Sequence, residues 1–132
     1  MAEQRTLEQR RAADALAKIE RLREAGRDKY GNYKSYVSSL PAAILANGLG
    51  QAVATVKSRK DRRGYPELYE HLSGWLCGGD AESPYPPGKG LLESITEHSQ
   101  DDYLRAQAEA LAYLTWLKKF ADAFLEGEKG EE

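Results

Sequence analysis

Very few residues of this 132-residue sequence have the types and the spacing that catalysis needs. Glu67 and His71 are four positions apart, so they would share one face of a helix, but a metal site requires more ligands than two. The second histidine, His98, stands among acidic and polar residues near a predicted helix end. We therefore interpret both histidines as structural residues, either partly buried or on the surface.

The remaining candidates for chemistry are equally isolated. Cys77 lies two residues after Trp75 in an apolar run, which favours a core thiol over a nucleophile. The Gly-Lys-Gly sequence at 88–90 lacks the rest of a phosphate-binding loop. Glu109 stands alone in an apolar stretch, which is typical of a carboxylate paired with a Lys or Arg of a neighbouring helix. We predict that the chain is not an enzyme and uses no metal or cofactor.

Positive charge is the most concentrated chemical feature of the chain. Residues 57–63 read KSRKDRR, which sets five cations against one acid: Lys57, Arg59, Lys60, Arg62 and Arg63. This basic segment is predicted at a helix end that runs into a loop. A solvated surface and a phosphate-binding surface both agree with such a run.

Charge is also divided along the chain. Residues 1–63 contain 14 Lys/Arg and 7 Asp/Glu, a net charge of +7, whereas residues 64–132 contain 5 and 14, a net charge of −9. This division favours nucleic-acid contact or head-to-tail docking, although an ordinary solvated surface would also explain it. The first predicted helix carries further cations among acidic neighbours, a pattern typical of surface ion pairs. They are Arg10, Arg11, Lys18 and Arg21.

Helices must position these residues, because apolar side chains recur at steps of three and four and no stretch alternates as a strand does. Pro41 indicates a break between two helices, and Asn47-Gly48 a bend in the second. The fold class is therefore all-α, a compact single-domain helical bundle of about five to six helices. The predicted helices span residues 7–25, 33–39, 41–58, 65–77, 91–98 and 100–126.

The long C-terminal helix is predicted at the centre of the bundle. Its apolar stripe is widened by Leu104, Leu111, Trp116 and Phe120, so several neighbours are needed to bury it.

The rest of the chain is expected to be irregular. The Gly- and Pro-rich residues 78–90 predict a flexible loop, and 1–5 and 127–132 predict disordered tails of one domain spanning 1–132. No apolar run reaches the roughly 18–20 residues of a membrane span. A single cysteine excludes an internal disulfide, and this agrees with a cytoplasmic protein.

Four stretches, in order and over most of the chain, resemble the small subunit of the type III-B CRISPR effector, the Cmr complex. They are TLEQRRAADAL at 6–16, LPAAILANGLGQAVA at 40–54 together with the preceding Tyr36, YPELYEHLSGWL at 65–76 and YLRAQAEALAYLTWLKKFADA at 103–123. Residues 78–90 are where the agreement is expected to be poorest. The resemblance implies an all-α subunit without catalytic activity, whose copies stack along the RNA-guided complex and help form the target-RNA channel. It implies that RNA cutting belongs to the backbone subunits and nucleotide cyclisation to the large subunit.

A channel-lining subunit needs only shape and positive charge, because pairing with the guide carries the sequence information. The predicted RNA-binding residues are Lys57, Arg59, Lys60, Arg62 and Arg63, with Arg10, Lys18 and Arg21 of the first helix. The expected partners are the backbone and large subunits of the Cmr complex, copies of the chain itself, and guide and target RNA without sequence preference. A generic helical protein–protein adaptor without nucleic-acid binding is the alternative.

Overall fold

The computed structural model describes residues 4–126, and within that range the chain is helical with no β-strand. Six of its helices have seven or more residues, which confirms the predicted all-α bundle, and α2 is a single turn. The helices are α1 (Leu7–Ala25), α2 (Arg27–Tyr30), α3 (Tyr33–Asn47), α4 (Leu49–Ser58), α5 (Tyr65–Leu76), α6 (Leu91–Glu97) and α7 (Gln100–Phe124). Residues 1–3 and 127–132, where most of the predicted tails fall, lie outside the described range.

The start of α1 is held by a capping box. The side chain of Thr6 accepts a hydrogen bond from the backbone N–H of Gln9 at 3.0 Å. The Gln9 side chain accepts one from the backbone N–H of Thr6 at 2.8 Å. Two donors of the first turn are thereby satisfied, and Gly26 ends the helix.

The C-terminal helix α7 lies at the centre of the bundle, as predicted. It packs against α1, α3, α4 and α5, so it touches elements from both halves of the chain. Its buried residues follow steps of three and four, which gather them on one face of the helix. They are Ala106, Ala110, Tyr113, Leu114, Leu117 and Ala121.

The buried face of α7 is nevertheless narrower than predicted. Leu104 is 54% exposed, and Trp116 and Phe120 only pack against the edge of the core. Trp75 of α5, at 2% exposure, is the tryptophan that the core encloses. The neighbours of α7 therefore cover one broad side of the helix rather than its whole circumference.

The helix break predicted at Pro41 is wrong. Helix α3 continues through Pro41 and ends at Asn47, because Val37, Leu40 and Ile44 keep one buried face on both sides of the proline. The chain breaks at Gly48 instead, whose φ of 87° is a left-handed conformation that favours glycine. The expectation of one bent helix over 41–58 is accordingly replaced by two helices.

Helix α4 begins on side chains supplied by α7. The backbone N–H of Leu49 donates to the side-chain oxygen of Gln107 at 2.9 Å. The N–H of Gly50 donates to the hydroxyl of Tyr103 at 2.9 Å. These two bonds satisfy donors that the first turn of a helix leaves free, so α7 fixes the direction in which α4 leaves Gly48.

The segment between α5 and α6 is attached to the bundle at several points. The N–H of Tyr85 donates to the carbonyl of Leu76 at 3.0 Å, and the Tyr85 side chain is only 1% exposed. The hydroxyl of Ser83 donates to the carbonyl of Trp75 at 2.7 Å. Composition alone indicated an exposed segment here, so the burial of Tyr85 was not predicted. The flexibility of residues 78–90 stays a prediction.

Candidate nucleic-acid interface

The basic segment, residues 57–63, lies at the end of α4 and in the turn that leads to α5. All five of its cationic side chains are exposed. The backbone of the turn is fixed by N–H donation from Arg62 to the carbonyl of Arg59 at 3.1 Å and from Tyr65 to the carbonyl of Arg62 at 3.2 Å. The segment therefore presents long side chains from a hydrogen-bonded turn.

Gly64 anchors this turn to the single-turn helix α2. Its φ is 105°, and a Cβ at this position would lie 2.5 Å from the carbonyl oxygen of Tyr30. One side chain of the basic segment adds to the anchor, because a guanidinium N–H of Arg63 donates to the carbonyl of Asp28 at 2.9 Å. A side chain at position 64 would force the turn away from α2.

None of the five cations forms an ion pair with a carboxylate in the part of the chain that the structure describes. Two of them lie over aromatic rings instead. The Nζ of Lys57 is 4.4 Å from the ring centre of Tyr69, and the guanidinium of Arg59 is 5.6 Å from that of Tyr65. Aromatic faces orient these cations without neutralising them, so the positive charge of the segment remains available to an anion.

The cations of α1 have a different environment. Arg10 pairs with Asp80 at 2.7 Å and with Glu82 at 2.8 Å, and the bond from Arg10 holds the pKa of Asp80 below its usual value. Lys18 pairs with Asp14 at 2.7 Å and is half-buried, and its burial lowers its pKa.

The other two of the four cations considered on α1 are Arg11 and Arg21. Arg11 binds Glu109 in a bidentate arrangement, with nitrogen–oxygen distances of 2.6 and 2.7 Å. Arg21 is exposed and has no ion pair among residues 4–126. The structure thus separates the predicted cations into an uncompensated group at 57–63 and a mostly paired group on α1. An RNA-binding role for Arg10, Lys18 and Arg21 stays a prediction.

A groove that the sequence analysis missed lies directly beside the basic segment, between α3, α4 and the start of α5. Its volume is about 260 Å³. Tyr36 and Tyr65 stack in its wall, with ring centres 3.7 Å apart and ring planes 12° from parallel. We call it the tyrosine groove, and it is lined by Tyr36, Ser39, Leu40, Ala43, Asn47, Ala52, Thr55, Val56, Arg59 and Tyr65.

The residues considered for catalysis have structural surroundings. The Nδ1 of His71 is 2.7 Å from the hydroxyl of Tyr33, and burial lowers the pKa of His71 to about 3. Burial raises the pKa of the Cys77 thiol, which disfavours the reactive thiolate. Glu109 accepts hydrogen bonds from Arg11 and from the indole N–H of Trp75, so the predicted pairing with a neighbouring helix is confirmed.

Residues 4–126 contain neither a candidate metal site nor a candidate membrane-spanning helix. No group of three or more His, Cys, Asp or Glu side chains in this range is arranged to hold a metal ion. No helix in this range has the length and apolar character needed to cross a membrane.

With this geometry established, comparison with known proteins decides the family. Residues 7–124 match the family model described as CRISPR-associated protein (Cas_Cmr5). The chain belongs to the Cas_Cmr5 family.

Relatives of this Cas_Cmr5 chain cover most of its length. A protein of Thermus thermophilus described as CRISPR system Cmr subunit Cmr5 is 32% identical over 108 residues, which are 81% of this chain and 88% of the relative. A protein of Thermotoga maritima with the same description is 29% identical over 111 residues, which are 82% and 78% of the two chains. The predicted resemblance to a small type III-B Cmr subunit is confirmed.

The fold of this Cas_Cmr5 chain also has a solved counterpart. The crystal structure of a CRISPR-associated Cmr5 family protein from Thermus thermophilus superposes with a TM-score of 0.69 at 30% identity. The match covers 92% of this chain and 100% of the other. The all-α architecture is therefore shared with a member of the family.

The tyrosine groove of this Cas_Cmr5 chain could not have been found from periodicity alone. Tyr36 and Tyr65 belong to different predicted helices separated by 29 positions, and each fits the apolar pattern of its own helix. Only the packing of α3 against the start of α5 brings their rings together. The one signal in the sequence was the position of Tyr65 two residues after the end of the basic segment.

Proposed function

We propose that this small Cmr subunit is a non-catalytic component of a type III-B effector in cytoplasmic antiviral defence. It stacks with copies of itself along the assembly and contacts the backbone and large subunits. Its basic segment forms part of the surface of the channel for target RNA. Its contacts with guide and target RNA are made to phosphates, without base recognition. The relatives described as Cmr subunits support the place in the assembly.

The observation that carries the RNA contact is the contrast between the two groups of cations. Ion pairs at 2.6–2.8 Å neutralise Arg10 and Arg11 within the molecule. The five cations of the basic segment have no such partner among the described residues and project from a fixed turn. A surface that keeps its charge after folding is the one that can exchange condensed counterions for phosphates.

Pairing with a guide makes the target affinity of the assembly depend on sequence, so the contribution of this subunit has to be measured as a change common to all sequences. The test compares two double variants of equal charge in the assembled complex. Lys60→Ser with Arg62→Ser removes two cations of the basic segment. Lys118→Ser with Lys119→Ser removes two exposed cations of α7.

The first double variant is expected to lower the affinity for every target by a similar factor. Its plot of log affinity against log salt concentration should become shallower by about 0.7 for each phosphate that the variant no longer neutralises. The α7 variant should match the parent in both measurements. Equal target affinity and equal salt slope for the two double variants would show that residues 57–63 are only a solvated turn.

A further inference from the structure

The tyrosine groove and the basic segment form one continuous surface, because Arg59 belongs to both. The groove has an apolar floor that includes the buried Leu40, Ala52 and Val56. Its rim is polar, with Ser39, Asn47 and Thr55. An aromatic heterocycle has the same division of surface, since its faces favour aromatic and apolar contact and its edge carries donors and acceptors.

The charged residues in and beside the groove restrict which class of ligand can bind there. No Asp or Glu lines it, and its one charged residue is Arg59. The four other cations of the basic segment follow or precede Arg59 within four positions. A ligand that occupies the groove and continues over the basic segment therefore meets five cations and one carboxylate, that of Asp61, and this excess of positive charge favours an anionic chain and disfavours a cationic peptide.

The ring on which a planar ligand would stack is Tyr36. One face of Tyr65 is covered by Tyr36 at 3.7 Å, and the guanidinium of Arg59 lies over Tyr65 at 5.6 Å. The Tyr36 hydroxyl and the Asn47 amide have no hydrogen-bond partner among the described residues, so both can meet the edge of a base.

We propose that the tyrosine groove holds one nucleobase of a single-stranded RNA whose phosphates lie on the basic segment, an inference that rests on the function proposed above. The base stacks on Tyr36 while Arg59 contacts the phosphate at the rim. Stacking on an aromatic side chain accepts any base, so this subsite adds affinity without adding sequence specificity. A subunit built this way holds RNA by one base face as well as by charge.

The test uses the full-length chain at low salt with two fluorescent probes of equal length and charge, hexauridylate and the same ribose-phosphate chain without bases. The parent is expected to bind hexauridylate about tenfold more tightly, a difference of about 1.4 kcal/mol, because one base of this probe stacks on an aromatic side chain. Tyr36→Leu should abolish this difference and leave the salt slope unchanged. Tyr36→Phe should retain the difference, since it keeps the ring.

Two further variants guard against a folding artefact. Thr55→Leu fills the groove from an exposed position on α4 without adding an aromatic ring and should also abolish the preference for hexauridylate. Phe124→Leu removes an aromatic ring that is 39% exposed on α7 and should leave both affinities at the parental value. A thermal melt of each variant verifies that the proteins compared are folded.

The outcomes separate this inference from the proposed function. Equal binding of the two probes by the parent, or a tenfold preference that survives in Tyr36→Leu and Thr55→Leu, overturns the base subsite even if the Lys60→Ser/Arg62→Ser variant binds weakly. Unchanged binding of both probes by that cation variant overturns the phosphate contact instead. Uridine monophosphate that competes at the same concentration as hexauridylate would identify a free-nucleotide site and overturn the assignment to a strand.

Discussion

At the scale of single residues, Glu109 is the polar centre of the interface between α1, α5 and α7. It accepts hydrogen bonds from Arg11 at 2.6 and 2.7 Å and from the indole N–H of Trp75 at 2.8 Å. Its side chain is 14% exposed and that of Arg11 is 18% exposed. A carboxylate with three donors in this setting links three helices at one point.

We expect Glu109→Ala to lower the free energy of unfolding by about 3 kcal/mol, because it leaves a half-buried guanidinium and an indole N–H without their acceptor. Glu8→Ala is the matched control, since Glu8 binds the same guanidinium at 2.9 Å but is 62% exposed. The control should cost less than about 0.5 kcal/mol. Urea unfolding measures both, and similar losses for the two variants would contradict a special role for Glu109.

His71 makes the stability of the fold depend on pH. Burial is the main cause that lowers its folded-state pKa to about 3, with the nearby charge of Lys18 as a second cause. The pKa in the unfolded chain is about 6.5. Between these two values the unfolded state binds a proton that the folded state does not, so stability falls as the pH is lowered from about 6.5 towards about 3.

The expected contribution of His71 is a slope of at most about 1.4 kcal/mol per pH unit across that window. His71→Gln should remove this contribution, whatever its effect on stability at neutral pH. Urea unfolding of parent and variant at several pH values gives the difference in slope. Parallel curves between pH 6.5 and 4 would mean that the imidazole is protonated in the folded protein.

Which residues carry charge was readable from the sequence, but which cations stay unpaired was not. Arg10 and Asp80 are 70 positions apart, and Arg11 and Glu109 are 98 apart. No local pattern relates such pairs, because the packing of α1 on α7 and on the loop before α6 creates them. The basic segment, by contrast, is contiguous, so its charge density could be predicted directly.

At the scale of elements, the junction between α3 and α4 depends on Gly48. Its positive φ is strained for other residues, and a Cβ there would lie 3.1 Å from the hydroxyl of Tyr103. Gly48→Ala is expected to cost about 1–3 kcal/mol. Gly50→Ala is the control, since Gly50 is within α4 and its Cβ would make ordinary contacts at 3.6 Å or more.

The control variant Gly50→Ala should be as stable as the parent or more stable by up to about 1 kcal/mol, because alanine has a higher helix propensity than glycine. Thermal or urea unfolding of the pair gives opposite signs if the backbone conformation of Gly48 is what matters. Equal effects of the two substitutions would indicate that crowding near Tyr103 decides the outcome instead.

The narrower buried face of α7 gives a second comparison. Leu114 is fully buried, so Leu114→Ala should lower the free energy of unfolding by about 2–5 kcal/mol. Trp116 stacks on Phe120 at 5.6 Å at the edge of the core, so Trp116→Ala should cost only about 1–2 kcal/mol despite the larger side chain removed. If urea unfolding shows a larger loss of stability for Trp116→Ala than for Leu114→Ala, the buried face of α7 is as broad as the sequence predicted.

The helices themselves were predictable because their apolar residues keep a 3.6-residue period and their starts carry capping residues such as Thr6 and Ser99. The misplaced break at Pro41 had a physical reason. A proline weakens a helix locally, but buried contacts made by Val37 and Ile44 on either side outweigh that cost. Local helix propensity and tertiary packing compete at such positions. Only the helix propensity can be read directly from the sequence.

At the scale of the whole molecule, folding neutralises part of the charge that is divided between the two halves of the chain, since four of the fourteen cations of residues 1–63 pair with carboxylates of the second half. Ion pairs join cations of residues 1–63 to carboxylates of residues 64–126 at five places. They are Arg10–Asp80, Arg10–Glu82, Arg11–Glu109, Arg27–Glu126 and Lys29–Glu67. The unpaired remainder includes the basic segment and exposed acids such as Glu93 and Asp101.

These remaining charges should favour weak association between copies, in which the basic segment of one molecule meets an acidic surface of the next. Sedimentation equilibrium at low salt is expected to show association that weakens as salt is added. The Lys60→Ser/Arg62→Ser variant should associate less than the Lys118→Ser/Lys119→Ser variant. A parent that stays monomeric at low salt would contradict this route to stacking and would leave partner subunits to provide it.

The central position of α7 has a consequence for the synthesis of the protein. Translation delivers α1 to α6 before α7, so α3, α4 and α5 can already contact one another while α1 and α3 still lack the helix against which both mainly pack. During that interval the emerged polypeptide carries most of its cations, and Arg11 still lacks Glu109. Residues 1–99 contain 15 Lys/Arg and 13 Asp/Glu, a net charge of +2, so the nascent chain is a partly apolar and slightly basic polymer next to ribosomal RNA. Its collapse into the native bundle has to await the emergence of α7.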